Sequence, residues 1–424
     1  MSVQVKIPAA TQQIDYADLY ARWERGNWCA TEIDFTQDKI DWEEKMTPEQ
    51  RRGALWLYSL FFHGEDSVAD DLSPYIDAAP LEEQTYFLTT QQVDEARHAV
   101  FFKRFFHEVM GIGDGTMGSA LTATLPELSW GHKQVFGRLD RMADELRADR
   151  SPTKLAAAVT LYHVIVEGTM AQPGQHMIER SLEDLDLLPG FREGMRNVAL
   201  DEQRHIAFGV KLLSDLYAAD PEPVQAAIVE TIREVLPWTT ALAWPPHGDR
   251  SYTTCFGFEL EDLFEEGAKL QEARLRAIGL DLESIPRFPL PIDLPPRERG
   301  QRGVTLLEAG LIGERNGGAS QDREAVAILF DQMARGANGD AVPHGTVIQW
   351  DFPDAQPWHL RLANGSTEAV EGRAEHPDLT LTSRWQDFID MTAGREDARK
   401  LMLTRRIKPR GNLRLLLKLP KVFG

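Results

Sequence analysis

Residues 198–210 read VALDEQRHIAFGV, an amphipathic helical pattern with three polar residues set in an apolar run. These residues are Asp201, Glu202 and His205. Glu202 and His205 are three positions apart, so they share one face of the helix. A single Glu-x-x-His pair is more often part of a solvated helix face than of a site. This stretch therefore decides nothing unless a second feature accompanies it.

The second feature is a repeat of the same motif. Residues 91–102, QQVDEARHAVFF, carry the same D-E-x-R-H pattern inside another apolar helical run. Each copy also follows a helical segment with one isolated acid, Glu65 before the first copy and Glu167 before the second. Buried singly, each of these groups would lose its hydration without gaining a partner. The recurrence therefore predicts that they are gathered at one place.

A dinuclear metal centre satisfies all of these groups together. In one kind of four-helix bundle, two helices each supply a Glu and the other two each supply a Glu-x-x-His, and the six side chains hold two divalent cations. The mixed nitrogen and oxygen ligand set suits iron or manganese better than a structural zinc. The predicted metal ligands are Glu65, Glu95, His98, Glu167, Glu202 and His205.

The aspartates before the two motif glutamates also have a predicted role. A metal-bound histidine usually donates its other N–H to a carboxylate. Asp94 and Asp201 are placed to accept such bonds, each from the histidine of the opposite helix. The alternative for both is a surface acid. Arg97 and Arg204 lie in the same motifs and would neutralise these aspartates.

Composition limits the class of protein. A chain of 424 residues is too long for one compact core, so we expect two domains. The net charge of -20 disfavours nucleic acid, or an anionic membrane, as the main partner of the whole chain. Two distant cysteines, Cys29 and Cys255, fit a reducing compartment. With no signal-peptide pattern and no apolar run near the ~20 residues of a membrane span, we expect a cytoplasmic protein.

The pattern of the sequence changes along the chain and indicates two domains with a linker between them. Helical patterns dominate from about residue 48 to 277, and Thr47-Pro48 and Ser151-Pro152 are typical helix starts. The proline-dense stretch SIPRFPLPIDLPPRERG excludes helix or sheet interior and predicts a linker. Beyond it, TVIQWDF, WHLRLAN and LTLTSRW alternate like half-buried strands, with Asn364-Gly365 as a turn signal. We predict an all-α domain over 1–283, a linker over 284–302 and a small α+β domain over 303–424.

The first domain resembles the ribonucleotide reductase R2-like superfamily of ferritin-like dimetal proteins. Within it, the likeness is greatest to the R2-like ligand-binding oxidases, whose first metal helix is similar to GEDSVADDLSP at residues 64–74. The resemblance implies the same six ligands and a centre of one manganese and one iron, with Fe/Fe as the alternative. It also implies a long-chain fatty acid over the metals and O2 as co-substrate. We further expect a homodimer and a reductase as electron donor.

That family also forms a tyrosine–valine ether cross-link, and Tyr162 and Val68 match its two positions. Val68 follows Glu65 by one helical turn and so points towards the same face. The alternative for Tyr162 is a core tyrosine. Radical-generating reductase subunits keep a tyrosine two turns after the first Glu-x-x-His glutamate, where this chain has Phe102. Its end, LLLKLPKVFG, also lacks the tyrosine-bearing tail of such subunits, so a reductase role is disfavoured.

The second domain is similar to the sterol carrier protein 2 family, which holds lipids or acyl chains in an apolar tunnel. The order TVIQWDF, WHLRLANGSTEAVEG, HPDLTLTSRWQDFIDMTAGR and ARKLMLTRRIKPRGNLRLLLKL carries this resemblance. Its end is unusually basic for an acidic protein, with Arg405, Arg406, Lys408, Arg410, Arg414, Lys418 and Lys421. A solvated edge is one interpretation. Docking onto the acidic first domain or binding of a carboxylate headgroup is the other.

Together, these patterns predict an O2-dependent dimetal oxidase or oxygenase acting on a hydrophobic, fatty-acid-like substrate. A lipid-binding or metal-binding protein without turnover is the rival from another class. An N-oxygenase or desaturase on the same scaffold is a third possibility, since the six ligands would be shared.

Overall fold

The computed structural model describes residues 5–285, 287, 291–315, 317–363 and 367–423. The chain divides into two compact units. The first comprises the residues up to Ile232 together with Pro245–Ser284, and the second comprises Arg233–Trp244 together with the chain from Ile285 onward. Among the helices in these ranges, none has the length and apolar character needed to cross a membrane.

Four long helices form the core of the first unit, which confirms the predicted all-α fold class. α1 spans Pro48–Asp71, α2 spans Glu82–Glu108 and α4 spans Pro189–Ala219. α3 consists of three consecutive helical segments, Pro152–Val159, Thr160–Ala171 and Gln172–Asp184. α1 packs against α2, α3 packs against α4, and α2 also contacts α4. The motifs found in the sequence therefore lie on four helices that share one core.

Shorter helices surround this bundle. They are Ala9–Gln12, Tyr16–Gly26, Thr36–Ile40, Ser73–Ala78, Met117–Thr124, Trp130–Ala148, Ser251–Thr254 and Leu260–Ile278. The helix Pro221–Thr239 begins in the first unit and ends in the second. Single turns of 3-10 helix lie at Ala30–Glu32, Leu125–Glu127, Pro246–Gly248 and Leu282–Ser284, and a π-helical turn lies at Asp41–Lys45.

Both predicted helix starts are correct. At α1, the Thr47 side chain accepts a hydrogen bond from the backbone N–H of Gln50, and the Gln50 side chain accepts one from the N–H of Thr47. At α3, the Ser151 hydroxyl accepts from the N–H of Lys154. These bonds satisfy backbone donors that have no partner inside the helix.

The start of α4 is held by side chains far away in the sequence. The Asp38 carboxylate accepts from the N–H groups of Gly190 and Phe191, at 2.9 and 2.7 Å. The Asp41 carboxylate accepts from the N–H of Leu188 at 2.9 Å. Because negative charge is stabilised at a helix N-terminus, these two carboxylates dock the N-terminal segment onto α4.

The middle of α3 is π-helical rather than α-helical. Over Thr160–Ala171 the helix is wider, and the N–H of Gln172 bonds the carbonyl of Glu167, five residues earlier. Wide turns of this kind are often found at functional sites, because they re-aim side chains. This segment carries Tyr162 and Glu167.

Two glycines allow α4 to approach its neighbours closely. A Cβ at Gly194 would overlap the ring of Phe101 on α2. A Cβ at Gly209 would overlap the Cβ of His163 on α3. The distance between α4 and both neighbouring helices is therefore set by the absence of side chains at these positions.

The second unit is an α+β domain, as predicted. Its strands are β1 (Thr346–Asp351), β2 (Trp358–Leu362), β3 (Glu368–Glu371), β4 (Leu379–Thr382) and β5 (Lys408–Gly411), in the order β3-β2-β1-β4-β5. β1 and β4 are parallel, and the other neighbours are antiparallel. Its helices are Pro296–Glu308, Arg323–Gly336, Trp385–Thr392, Ala398–Leu403 and Leu419–Phe423, with 3-10 turns at Gly339–Ala341 and Leu413–Lys418.

One prediction for this region needs correction. Residues 296–302 of the predicted linker are helical, because Pro296 stands at the first turn, where a missing N–H costs no helical hydrogen bond. Arg233–Trp244 is grouped with the second compact unit. Residues 286 and 288–290 of the linker, and the turn predicted at Asn364-Gly365, lie outside the described residues.

The close approach at Gly209 can be tested by substitution. We expect Gly209→Ala to destabilise the protein by about 1–3 kcal/mol, the usual cost of overpacking a core. Gly118→Ala is the matched control, because nothing lies within 4 Å of its missing Cβ on an exposed helix turn. Denaturant unfolding measures both variants. Equal stability of the two would contradict the packing at Gly209.

Candidate metal centre

The structure brings the six predicted ligands to one place in the bundle core. Glu65 comes from α1, Glu95 and His98 from α2, Glu167 from the π-helical part of α3, and Glu202 and His205 from α4. All six side chains are buried. Each motif contributes its Glu and its His to the same cluster because residues three apart lie on one helix face.

The cluster consists of two overlapping groups. Glu65, Glu95, His98 and Glu202 form one group whose ligand atoms lie within 4.8 Å of one another. Glu95, Glu167, Glu202 and His205 form the other, by the same measure. Glu95 and Glu202 belong to both. The arrangement therefore offers two adjacent sites, each with three carboxylates and one imidazole, which share two carboxylates.

Both histidines turn the same ring nitrogen towards the carboxylates. The Nδ1 atom of His98 lies 3.2 Å from Glu65 and 3.5 Å from Glu95. The Nδ1 atom of His205 lies 3.2 Å from Glu95 and 3.6 Å from Glu167. In both rings, Nδ1 is thus the atom available to a cation in the cluster.

The other ring nitrogens are bonded across the bundle. The Nε2 atom of His98 lies 3.1 Å from Asp201 on α4, and that of His205 lies 3.1 Å from Asp94 on α2. Each aspartate thus faces the histidine of the opposite helix. An Nε2–H donor to an aspartate leaves Nδ1 unprotonated in the neutral ring, which is the form a metal binds.

Two arginines neutralise these aspartates. Arg97 bonds Asp94 of its own helix and, at 3.0 Å, Asp201 of α4. Arg204 bonds Asp201 of its own helix at 2.6 Å and Asp94 of α2 at 3.1 Å. Because all four side chains are nearly excluded from solvent, these charge-assisted bonds hold α2 and α4 in register.

Two tryptophans complete the network, and sequence reasoning missed them. The indole N–H of Trp23 donates to Asp94, and that of Trp28 donates to Asp201, each at 2.8 Å. The Trp28 ring also stacks on His98, with centroids 6.2 Å apart. Their spacing of five residues in the N-terminal segment carries no recognisable motif, so only the fold reveals them.

A further pair of polar residues was also missed. The buried Gln91 amide donates to Glu167 at 2.8 Å and to the Tyr162 hydroxyl at 3.0 Å. The Gln91 carbonyl therefore faces the His163 ring, whose Nε2 atom lies 3.1 Å away. Burial lowers the pKa of His163 to about 3, so this ring is neutral and donates through Nε2. Gln91 stands one turn before Glu95, a position that could have suggested a role.

Tyr162 and Val68 are both buried. The Tyr162 hydroxyl donates to Glu95 at 2.7 Å, and burial next to that carboxylate raises the pKa of the phenol well above its ordinary value. Val68 lies on α1, one turn after Glu65. At the position where a radical-generating subunit has its tyrosine, Phe102 is buried and stacks on Phe61, with centroids 6.2 Å apart.

The electrostatics of the cluster require positive charge. Burial raises the pKa of Glu65 to about 8 and raises the pKa values of Glu167 and Glu202. Burial alone would lower the pKa values of His98 and His205, but the surrounding carboxylates raise both well above the ordinary value. When no metal is bound, protons therefore supply charge that the carboxylates need.

The donor set fits a pair of divalent cations. Oε2 of Glu167, Oε2 of Glu202 and Nδ1 of His205 are buried and have no hydrogen-bond partner among the described residues. Buried polar atoms without a partner are costly, and coordination would satisfy them. Carboxylates with imidazole are ligands that iron and manganese accept.

The second unit has a separate cavity of about 420 Å³. Trp358, Trp385 and Val326 supply its apolar lining, and Arg323 and Glu371 form an ion pair of 3.0 Å at it. The remaining lining residues are Gln321, Ala355 and Gln356. A cavity with an aromatic lining and polar groups beside it suits a small amphipathic ligand.

Family models match both units. Residues 10–240 match the model described as ribonucleotide reductase, small chain, which covers more than half of the chain. Residues 331–424 match the model described as the SCP-2 sterol transfer family.

Solved structures of R2-like ligand-binding oxidases are similar to this chain. The enzyme from Sulfolobus acidocaldarius is 27% identical, with 70% of this chain and 99% of that chain covered and a TM-score of 0.54. A variant with an anaerobically reconstituted Mn/Fe cofactor is also 27% identical, covering 62% and 94%, with a TM-score of 0.53. A variant with an aerobically reconstituted Mn/Fe cofactor has a TM-score of 0.51 at 27% identity, covering 64% and 94%.

Metal loading should release protons. We expect at least two protons per chain at neutral pH when metal-free protein takes up Mn(II) and Fe(II) without oxygen. His98 and His205 are protonated beforehand and bind metal only as neutral rings, and Glu65, whose pKa is raised to about 8, binds metal only as a carboxylate. Because their pKa values are raised, metal affinity should increase as the pH rises. An indicator dye in weak buffer measures the release.

Two variants control this measurement. Glu202→Ala removes a carboxylate shared by both groups and should reduce the metal retained per chain, whereas Glu183→Ala removes an exposed acid and should change nothing. Full metal occupancy in Glu202→Ala, or loading without proton release, would contradict the ligand assignment.

Proposed function

The chain belongs to the ribonucleotide reductase small-chain family, and on that premise we propose that it is a dimetal oxidase or oxygenase acting on a hydrophobic, fatty-acid-like substrate. One observation carries the proposal: two buried groups of three carboxylates and one imidazole share Glu95 and Glu202. Two adjacent sites with shared ligands suit a reaction in which two metal ions act together. A single structural ion would not need the second group.

The similar structures support the choice of cofactor. Two of them are R2-like ligand-binding oxidases with a reconstituted Mn/Fe cofactor. We therefore propose Mn/Fe, with Fe/Fe as the alternative, held by Glu65, Glu95, His98, Glu167, Glu202 and His205. When bound, such a metal pair supplies the electrons that reduce O2 and the oxidising power that attacks a C–H bond.

The protein's own residues prepare this chemistry. Asp94 and Asp201 keep Nδ1 of each histidine available by accepting from Nε2. Gln91 orients Glu167 and the Tyr162 hydroxyl with one amide group. Buried phenylalanines lie on the helices that carry the ligands, and an apolar core excludes water, which would otherwise quench an oxidant. They include Phe87, Phe101, Phe102 and Phe208.

Tyr162 is proposed as the redox-active side chain. Its hydroxyl already donates to Glu95, so this carboxylate is placed to take the phenolic proton when the ring is oxidised. An ether between the phenolic oxygen and a side-chain carbon of Val68 would form with loss of two hydrogens, O2 being the oxidant. Both side chains are buried, so the reaction would occur away from solvent.

The second unit is proposed to hold or deliver the hydrophobic substrate. Residues 331–424 match the SCP-2 sterol transfer family. The cavity of this unit is lined by Trp358 and Trp385. A reductase would supply electrons to the metal centre between turnovers. The proposed assembly is a homodimer. Cys29 and Cys255 form no disulfide, which is in keeping with a cytoplasmic location.

Turnover separates the oxidase from its rival, a lipid-binding or metal-binding protein with a centre that reacts once. With a chemical reductant and an added long-chain fatty acid, the metal-loaded protein should consume many equivalents of O2. An oxygen electrode measures this, with metal-loaded Glu202→Ala as the inactive control. Consumption that stops near one O2 per chain, whatever hydrophobic compound is added, would favour the rival.

The cross-link has a direct chemical test. After loading with metal in air, the tryptic peptides containing Val68 and Tyr162 should appear joined, with a mass two hydrogens below their sum. Tyr162→Phe should give only separate peptides, because it lacks the phenolic oxygen. Separate, unmodified peptides from the unaltered protein would rule the ether out.

A further inference from the structure

The last part of the second unit has a charge opposite to that of the whole chain. We call residues 399–421 the C-terminal basic segment. It contains nine Lys and Arg residues and no Asp or Glu, in a chain whose net charge is -20. Its cations are Arg399, Lys400, Arg405, Arg406, Lys408, Arg410, Arg414, Lys418 and Lys421.

Few of these cations are neutralised within the domain. Arg406 pairs with Asp387 and Glu396, and Lys400 pairs with Glu396. The other seven form no ion pair within the part of the chain that the structure describes. Their charge is therefore available to an external anion.

Exposed leucines lie among these cations. Leu403 is 85% exposed, Leu417 is 83% exposed and Leu413 is 55% exposed. Across the described residues, they are the large apolar side chains of the second unit that are exposed. Isolated exposed leucines are common on protein surfaces, but three within fifteen residues of a cationic segment form a local pattern.

The segment is fixed to the domain and is not a loose tail. Leu401, Ile407, Leu415 and Val422 are buried and anchor it at four points. Between them, β5 pairs with β4 at the edge of the sheet, with Lys408 opposite Thr382 and Arg410 opposite Thr380. Cations and leucines are thus displayed on ordered backbone, so little conformational entropy opposes docking.

Protection of the sheet edge explains only part of this pattern. Lysines and arginines on an edge strand discourage pairing with another chain, which accounts for Lys408 and Arg410. It does not account for Leu413 and Leu417, which follow β5, since exposed leucines promote association rather than prevent it. The combination of cations with leucines needs a partner that is both anionic and apolar.

We propose that the C-terminal basic segment docks the protein onto the surface of an anionic phospholipid bilayer. The cations face the lipid phosphates, and Leu403, Leu413 and Leu417 enter the boundary between headgroups and acyl chains. The chain's overall acidity disfavours a membrane partner for the whole chain. At ordinary salt, however, charges more than about 10 Å from the lipid phosphates are largely screened, so the nearby cations of the segment decide the local interaction. This surface lies outside the metal centre, so membrane docking does not depend on the proposed oxidase activity.

Vesicle co-sedimentation of the full-length protein tests the proposal. Binding is expected to phosphatidylcholine vesicles that contain phosphatidylglycerol and not to phosphatidylcholine alone, and it should weaken as salt is raised. The double variant Arg414→Glu/Lys418→Glu should lower the affinity at least about tenfold. The double variant Leu403→Ser/Leu417→Ser should also lower it about tenfold or more, because two leucines no longer leave water.

Control variants alter exposed residues of the first unit. Arg180→Glu and Leu125→Ser should bind vesicles like the unaltered protein. Metal content and circular dichroism should be unchanged in every variant, which separates this test from that of the oxidase. Equal binding to both vesicle types, no binding, or binding that the leucine variant leaves intact would each overturn the proposal.

Discussion

The structure depends on one electrostatic constraint, the burial of four carboxylates and two imidazoles in an apolar helical core. Desolvation alone would push Glu65, Glu167 and Glu202 to their neutral forms, and it raises their pKa values accordingly. Positive charge must therefore come from protonated histidines or from metal ions. Such a cluster is a weak source of stability by itself. A buried cluster of this kind is explained if metal cations replace the protons. That exchange links folding, metal binding and pH at one site.

The backbone around the cluster is adapted to this constraint. Gly209 lets α4 approach α3, and Gly194 lets it approach α2, so the ligands of three helices can converge. The π-helical segment carries Glu167 and Tyr162 on the same wide turn. Asp38 and Asp41 fix the start of α4 from the N-terminal segment, where Trp23 and Trp28 also reach the buried aspartates. The same short segment thus controls both the position of α4 and the hydrogen bonds of its aspartate.

The sequence predicted those parts that repeat or that follow a local rule. The doubled D-E-x-R-H motif led to six side chains that the fold brings together, and the capping pattern at Thr47 led to the start of α1. The roles of Trp23, Gln91 and His163 could not be predicted, because they depend on long-range contacts and not on spacing in the sequence. In the second unit, the strands β3 and β5 were not predicted, because they are short and largely exposed, and β5 contains proline and glycine. Their pairing is decided by the sheet.

The aromatic residues around the cluster separate this chain from radical-generating subunits of its family. At the position two turns after Glu95, Phe102 packs against Phe61 and Phe191, and a phenyl ring has no proton to give up when oxidised. The phenol stands elsewhere, at Tyr162, with its hydroxyl on Glu95. An oxidant formed at the proposed centre would therefore meet the phenol of Tyr162 on the α3 side. This placement of the phenol is one reason for the proposal that Tyr162, or a substrate in its place, is oxidised, and that no radical is stored for use at a distance.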